Sequence, residues 1–273
     1  MNDITNICQL EWHGNMNTFE FHDKYIILYD DHRYVLNVLY EAIRQNVFNG
    51  VIPNVVFFDH HDDSLPTNIE LKKYKISNIL EMNRRDFWNL VEFDVREWDD
   101  DWVTVGMELG LIKDVLCIGQ EKNKNIKLWD NNTYVDKCEI CHKGYVIGHL
   151  IDELKPDGKL GKNTNESKSI GDVLDYYDKG FLANKTKPFI LDFDLDCFTT
   201  QENNEPKAWT EEKFNCFYCN QDVKYFIFSL IDRASIVTIC REPKCCGGIG
   251  ESNKILGYLD KYFFDGKLTT EPK

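Results

Sequence analysis

The chain has 273 residues, 42% of them apolar and 13% aromatic, a composition that excludes a disordered protein and leaves room for a substantial core. Lys and Arg number 32 against 46 Asp and Glu, a formal charge of −14, which argues against a nucleic-acid backbone or an anionic membrane as partner and favours a cationic one. No apolar run approaches the roughly 18 residues of a spanning helix, and Met1–Leu10 has neither the basic nor the apolar region of an export signal, so a cytoplasmic location is expected.

In chain order, Lys24–Tyr29 (K-Y-I-I-L-Y) reads as a strand, followed by Asp31-His32. Tyr34–Val47 carries Val35, Val38, Leu39, Ala42 and Ile43 at helical spacing, with Asn49-Gly50 as its left-handed close. Val55–Phe58 is a second strand, so the first 60 residues spell strand–helix–strand, the unit of a parallel sheet. That strand runs into Asp59-His60-His61-Asp62-Asp63. Three carboxylates and two imidazoles beside a buried strand are costly unless something neutralises them. Side chains alternate along a strand, so an extended conformation that continues through this run sends Asp59, His61 and Asp63 to one side and His60 and Asp62 to the other.

Glu70–Arg96 is mostly helical, Glu97–Trp102 (E-W-D-D-D-W) is an acidic knot, Val103–Leu111 suits a helix and Asp114–Ile118 a strand. Asp100, Asp101 and Trp102 suit either a helix N-terminus or the wall of an active site. Glu121–Asn132 reads as a loop, Tyr145–Ile147 as a short strand, and 155–171 as an exposed loop. Pro188–Leu195 (P-F-I-L-D-F-D-L) is a strong strand that again ends in acid; Lys224–Ile231 is helical, Ser235–Cys240 a strand leading to Arg241-Glu242-Pro243, and Gly247–Asp260 a last helix. Strands alternating with helices, without a linker or an internal repeat, imply one α/β domain over 1–273 with a mostly parallel sheet. Ligands of such sheets bind beyond the carboxyl ends of the strands. Four predicted strands end there in a potential ligand: His32, the Asp59–Asp63 run, Asp194/Asp196, and Glu242.

His32, Asp59, His61, Asp63, Asp194 and Asp196 make a carboxylate-rich set with imidazole in the minority, suited to Mn²⁺, Fe²⁺ or a harder ion. Six ligands exceed one site that must also hold water and suit two ions about 3.5–4 Å apart, an arrangement that activates water near neutral pH. Cys138-x-x-Cys141 and Cys216-x-x-Cys219 offer a possible structural Zn²⁺ if the pairs meet, with a Cys-rich insertion around 138–142. Cys8, Cys117, Cys197 and Cys240 sit in apolar company and read as core thiols.

The order Asp31-His32, then Asp59-x-His61-x-Asp63, then Phe193-Asp194-x-Asp196, resembles the metal signature of the ureohydrolase superfamily, the arginases and agmatinases. The resemblance implies a three-layer αβα sandwich, two Mn²⁺ ions and a C–N hydrolase acting on linear amidines. His32, Asp59, Asp63 and Asp194 would belong mainly to one ion or bridge, while His61 and Asp196 would complete the other. Glu242, in I-C-R-E-P, matches the glutamate that receives the guanidinium; Glu242 and Asp63 would be catalytic, and Glu242 and Asp101 would meet substrate. The runs D-H-H-D-D, E-W-D-D-D-W-V and G-M-E-L-G-L-I-K-D-V are similar to the branch that includes peptide arginases, which make ornithine from arginine inside a ribosomal peptide. The chain departs from ordinary arginases in three places. Leu65 stands where free-arginine enzymes place an Asn, Asp192 where the family often has Ser, and no His lies between His61 and His142. His149 and His22 remain as proton-shuttle candidates. The expected partner is an arginine-containing peptide; a small guanidine or agmatine-like substrate, or a non-catalytic metal protein, stays open.

Overall fold

The structure, a computed structural model, describes residues 16–59, 61, 63, 76–96, 101–113, 115–118, 128–130, 133–135, 188–218 and 221–268. β1 (Asn17–Phe21) and β2 (Lys24–Tyr29) form a hairpin, and a single 3₁₀ turn, His32–Tyr34, opens α1 (Val35–Arg44). β3 (Asn54–Phe58), α2 (Ile76–Glu81), α3 (Arg84–Asp94), α4 (Trp102–Glu108) and β4 (Val115–Ile118) follow. After β5 (Leu128–Asp130) and β6 (Thr133–Val135) come β7 (Phe189–Asp194), a 3₁₀ turn at Leu195–Phe198, β8 (Thr199–Glu202) and β9 (Glu205–Ala208). α5 (Glu211–Tyr218), α6 (Gln221–Arg233), β10 (Ile236–Cys240) and α7 (Ile249–Phe263) complete the described chain.

The main sheet has the order β1-β2-β10-β7-β3-β4. Five strands are parallel and β1 is an antiparallel edge. Alternation along the strands divides the core in two. Ile26, Leu28, Val56, Phe58, Leu191, Phe193, Val237 and Ile239 pack with residues of α6 and α7. Ile27, Tyr29, Val55, Phe57, Ile190, Ile236 and Cys240 pack with α1, α3 and α4. A strand buried on both faces needs apolar residues at both parities, and V-V-F-F and F-I-L-D-F supply them. The sheet is therefore mostly parallel, in a mixed α/β architecture, as expected from the sequence.

Local details differ from that expectation. α1 closes at Asn46, not at Asn49-Gly50: the left-handed residue is Asn46 (φ 59), with Val47 N–H bonded to Ala42 O and Asn46 N–H to Ile43 O, the Schellman pattern. Asn49 and Gly50, both at positive φ, make the turn that follows. Leu128–Asp130 and Thr133–Val135 form a small antiparallel ladder where 121–132 reads as a loop. The segment 155–171, the insertion at 138–142 and the strand at 145–147 lie outside the described residues, as do His60, Asp62, Leu65, Asp100 and His149.

Two arginines fix the ends of the central strands. The Arg33 guanidinium is buried, grips Asp31 at 2.7 and 2.8 Å, and donates to the Glu92 carbonyl at the end of α3. Arg241, following β10, makes a two-pronged pair with Asp30, following β2 (2.5 and 2.9 Å), while its backbone N–H reaches Tyr29 O. Paired guanidinium–carboxylate bonds are strong and directional, so the residues flanking them, His32 and Glu242, emerge from a fixed rim.

Candidate metal centre

The strands whose ends carry chemistry, β2, β10, β7 and β3, are four consecutive neighbours in the sheet. Because they run parallel, all four deliver their carboxyl ends to one rim. His32 stands there with its side chain fully buried. Its Nδ1 lies 3.0 Å from Asp63 Oδ2, 3.1 Å from Asp194 Oδ2 and 3.5 Å from Asp59 Oδ2. His61 Nδ1 lies 3.2 Å from Asp196 Oδ2 and 3.6 Å from Asp59 Oδ1. Asp59 therefore touches both imidazoles, one with each oxygen. All six residues expected as ligands come together, and Glu242 joins them: ligand atoms of His32, Asp194 and Glu242 lie within 4.8 Å of one another, as do those of His32, Asp59 and Asp63 and those of Asp59, His61 and Asp196.

Backbone and side-chain bonds shape each acid. Asp194 caps the 3₁₀ turn that follows β7, its Oδ1 accepting from Asp196 N–H at 3.1 Å, and Asp59 Oδ1 accepts from His61 N–H at 2.6 Å. Asp63 is held from α4: Trp102 Nε1 donates to its Oδ2 at 2.6 Å, and Val103 N–H bonds its carbonyl. The Trp102 ring also packs 4.8 Å from His32 and 5.3 Å from Phe57, so Trp102 supplies a wall to the cluster. Asp63 (φ 45) and Glu242 (φ 37) both sit at positive φ without being glycine. Such strain persists only where the surroundings impose it and is concentrated at functional positions.

Burial and like charge dominate the electrostatics of the cluster. Burial, then Asp63 and Asp194, push the Asp59 carboxyl well above the usual range; burial and Asp196 push Asp194 up to about 7. Burial together with Asp194 and Asp196 raises Glu242 likewise. Burial alone would depress His32, but Asp192 and Asp194 outweigh it and hold the imidazole well above its ordinary value, while hydrogen bonds to Asp196 and Asp59 raise His61 to about 12. Together, burial and neighbouring carboxylates thus favour the protonated form of each of these groups, and a bound cation would act in the opposite sense.

A metal fits this donor set. Asp59 Oδ2 is buried and accepts no hydrogen bond from the described residues, a costly state for a carboxylate oxygen unless an ion coordinates it. One imidazole nitrogen carries at most one proton, yet His32 Nδ1 faces three carboxylate oxygens within 3.5 Å. Ligand atoms at right angles about 2.1 Å from a shared ion lie about 3 Å apart, which is the spacing observed. The buried group of His32, Asp59, Asp63 and Asp194 could therefore hold a metal ion.

Other expected residues fall elsewhere. Asp101 is fully buried at the start of α4 and accepts from Arg96 N–H at 3.2 Å, with the Arg96 guanidinium 3.7 Å away. That pairing anchors the helix entrance. His22 occupies the β1–β2 turn (φ 54), at the opposite end of β2 from the cluster, about 20 Å away along the strand, too far for proton transfer. Cys197 and Cys240 are buried free thiols as expected; Cys8, Cys138, Cys141 and Cys219 lie outside the described residues, and Cys216 lies in α5. Sequence reading overlooked Tyr29 and Thr238, which donate to the buried Asp192. The available signal was a threonine inside the apolar run S-I-V-T-I-C. No protein-family model matches the chain, and no curated protein matches it.

Proposed function

We propose that the chain is a binuclear Mn²⁺ hydrolase of the ureohydrolase type, an αβα sandwich that releases urea from an arginyl side chain, within a peptide, to leave ornithine. The observation that supports this most is the meeting of D-H, D-x-H-x-D, D-x-D and Glu242 from four adjacent strand ends around one buried cluster. In this reading His32, Asp59, Asp63 and Asp194 would belong mainly to one ion or bridge, and His61 and Asp196 would complete the other. Two dications held there supply a water molecule acidified to near neutral pH. Glu242 receives the substrate guanidinium through paired N–H···O bonds; the planar cation would also relieve the repulsion that Asp194 and Asp196 impose on Glu242. Water adds to the guanidinium carbon, the bond from that carbon to the side-chain Nε breaks, and Nε leaves with a proton as an amine. Asp63, steadied by Trp102, accepts the proton given up by the attacking water and passes it to Nε; the proton left on the added hydroxyl follows to the released amine, so the products are urea and the ammonium form of ornithine.

The chain's net charge of −14 and Leu65 in place of an amino-acid clamp favour a cationic residue held inside a peptide over free arginine. The test is a urea assay on the Mn²⁺-loaded full chain with arginine-containing peptides, free arginine and agmatine. Urea from the peptides alone is expected. Urea from agmatine or free arginine alone replaces the peptide by a small substrate, and metal uptake without any urea removes the reaction. Glu242→Gln is expected to keep its metal while kcat/KM falls by 10²-fold or more, the scale of removing a preorganised electrostatic partner. Full turnover in that variant takes Glu242 out of the site.

A further inference from the structure

Behind the cluster lies a second polar group, closed off from solvent. Asp192, Tyr29, Thr238 and His32 are all fully buried. Asp192 Oδ1 accepts from Tyr29 Oη at 2.8 Å and from Thr238 Oγ1, and its Oδ2 meets His32 Nε2 at 2.7 Å. The sheet register dictates this meeting. Thr238 pairs with Asp192 across β10–β7 and with Ile27 across β10–β2, so Thr238 and Asp192 project from the face that also carries Tyr29 and Asp194. A carboxylate in an apolar sheet interior is destabilising unless its oxygens are satisfied, and here Tyr29 on β2, Thr238 on β10 and His32 in the turn after β2 satisfy both oxygens.

We propose that Asp192 is a positioning residue: with Tyr29 and Thr238 it holds His32 in the tautomer protonated at Nε2, and so aims the lone pair of Nδ1 at Asp59, Asp63 and Asp194. This rests on reading the cluster as a metal centre. A neutral imidazole carries one proton on either nitrogen, and the partner of one nitrogen decides the role of the other. A carboxylate accepts only, so the nitrogen facing Asp192 must be the donor. The remaining nitrogen is the one 3.0 to 3.5 Å from the three acids. Carboxylate partners of this kind orient a ligating imidazole and raise its basicity, and their loss typically costs 10–100-fold in metal affinity. A neutral acceptor at position 192 would orient the ring and supply less of the second effect. Tyr29 and Thr238 fix the carboxylate in turn, since each binds Oδ1 and leaves Oδ2 for the imidazole.

The experiment uses the full chain with ¹⁵N-labelled histidine. Mn²⁺ affinity is measured by titration, and Zn²⁺ serves as the diamagnetic ion for histidine ring spectra. Wild type is expected to show His32 ligated through Nδ1 and protonated at Nε2. Asp192→Asn is expected to bind Mn²⁺ about 10–100-fold more weakly, with a displaced Nε2 proton resonance. Thr238→Val and Tyr29→Phe, which each remove one donor, are expected to weaken binding by smaller factors and carry the test if Asp192→Asn does not fold. Binding by Asp192→Asn within threefold of wild type, unchanged binding in both donor variants, or a His32 ligated through Nε2 would overturn the proposal. A role confined to packing would lower the melting temperature and leave affinity and tautomer unchanged. Wild type that takes up neither ion ends both this inference and the metal centre beneath it, whereas metal uptake without urea release ends only the proposed reaction.

Discussion

The two imidazoles of the cluster live in opposite surroundings. The His32 side chain is fully buried, while that of His61 is 44% exposed. His32 is braced by a carboxylate on β7, by a tryptophan ring from α4 and by a rim tied down through Arg33 and Arg241. His61 leans on Asp59 and Asp196 at the open side of the same cluster. An ion bound on the inner side exchanges a preorganised dry site for its water shell; one on the outer side keeps solvent contact and faces arriving substrate. The difference teaches that one rim offers two kinds of ligand surroundings, and on the proposed reading an inner ion would be held more tightly than an outer one.

The largest effect is expected where the halves meet. Asp59 contacts both imidazoles, so Asp59→Ala should lose both ions, and with each of them a metal-linked stabilisation of about 2.7 kcal/mol at a free ion concentration 100 times its Kd. Asp194→Ala should behave similarly. Elemental analysis and melting curves with and without Mn²⁺ read both quantities, and full metal content in either variant would remove that residue from the ligand set.

Separating the halves comes next. His61→Asn is expected to retain one tightly held ion per chain, whereas His32→Asn should lose the tight ion altogether. Equal losses in the two variants would abolish the distinction between inner and outer positions.

Proton competition gives an intermediate effect. Asp59, Asp194 and Glu242 have raised carboxyl pKa values in the fold, Asp194 at about 7, and His61 is raised to about 12. Between about pH 4 and 7 the folded acids keep protons that the unfolded chain releases, and above about pH 6.5 the folded imidazoles do the same. Stability falls with pH wherever the native state binds more protons. The chelator-treated protein should therefore melt lower at pH 8 than at pH 5, and Mn²⁺ should raise its melting temperature more at pH 8. A metal-free melting temperature that rises over this interval contradicts the electrostatic account.

The smallest change is expected from Trp102→Phe. It removes the indole donor to Asp63 and should cost about 0.5–1.5 kcal/mol of stability, the range for a single hydrogen bond. Both ions should remain, with affinity reduced only a few-fold. Loss of an ion in this variant would make Trp102 essential to the inner site.

Much of this rim was legible in the sequence because buried parallel strands advertise themselves as apolar runs, and an acid placed directly after such a run has few bland explanations. K-Y-I-I-L-Y, V-V-F-F and P-F-I-L-D-F-D-L were readable for that reason; the expected alternation of Asp59, His61 and Asp63 was not the cause of their meeting, since β3 ends at Phe58 and Asp63 sits at positive φ. β1 was not: N-T-F-E-F is short and partly polar, since as an edge strand it buries little. The β8–β9 hairpin turns on Asn203 and Asn204 at positive φ, within a run of polar residues that gives no period. The positive φ of Asp63 and Glu242 is imposed by tertiary contacts and has no local sequence signature. Asp192 was readable as facing the ligands, but its partners Tyr29 and Thr238 come from strands distant in sequence. Their meeting depends on the sheet order, which the pattern of one chain does not specify.

The central claim, that acids and imidazoles from four strand ends gather to bind a pair of ions, is tested most directly by titrating the metal-free full chain with Mn²⁺ in a calorimeter. Two ions per chain are expected, the first bound more tightly than the second. A flat titration, with no ion bound at millimolar Mn²⁺, would contradict the account.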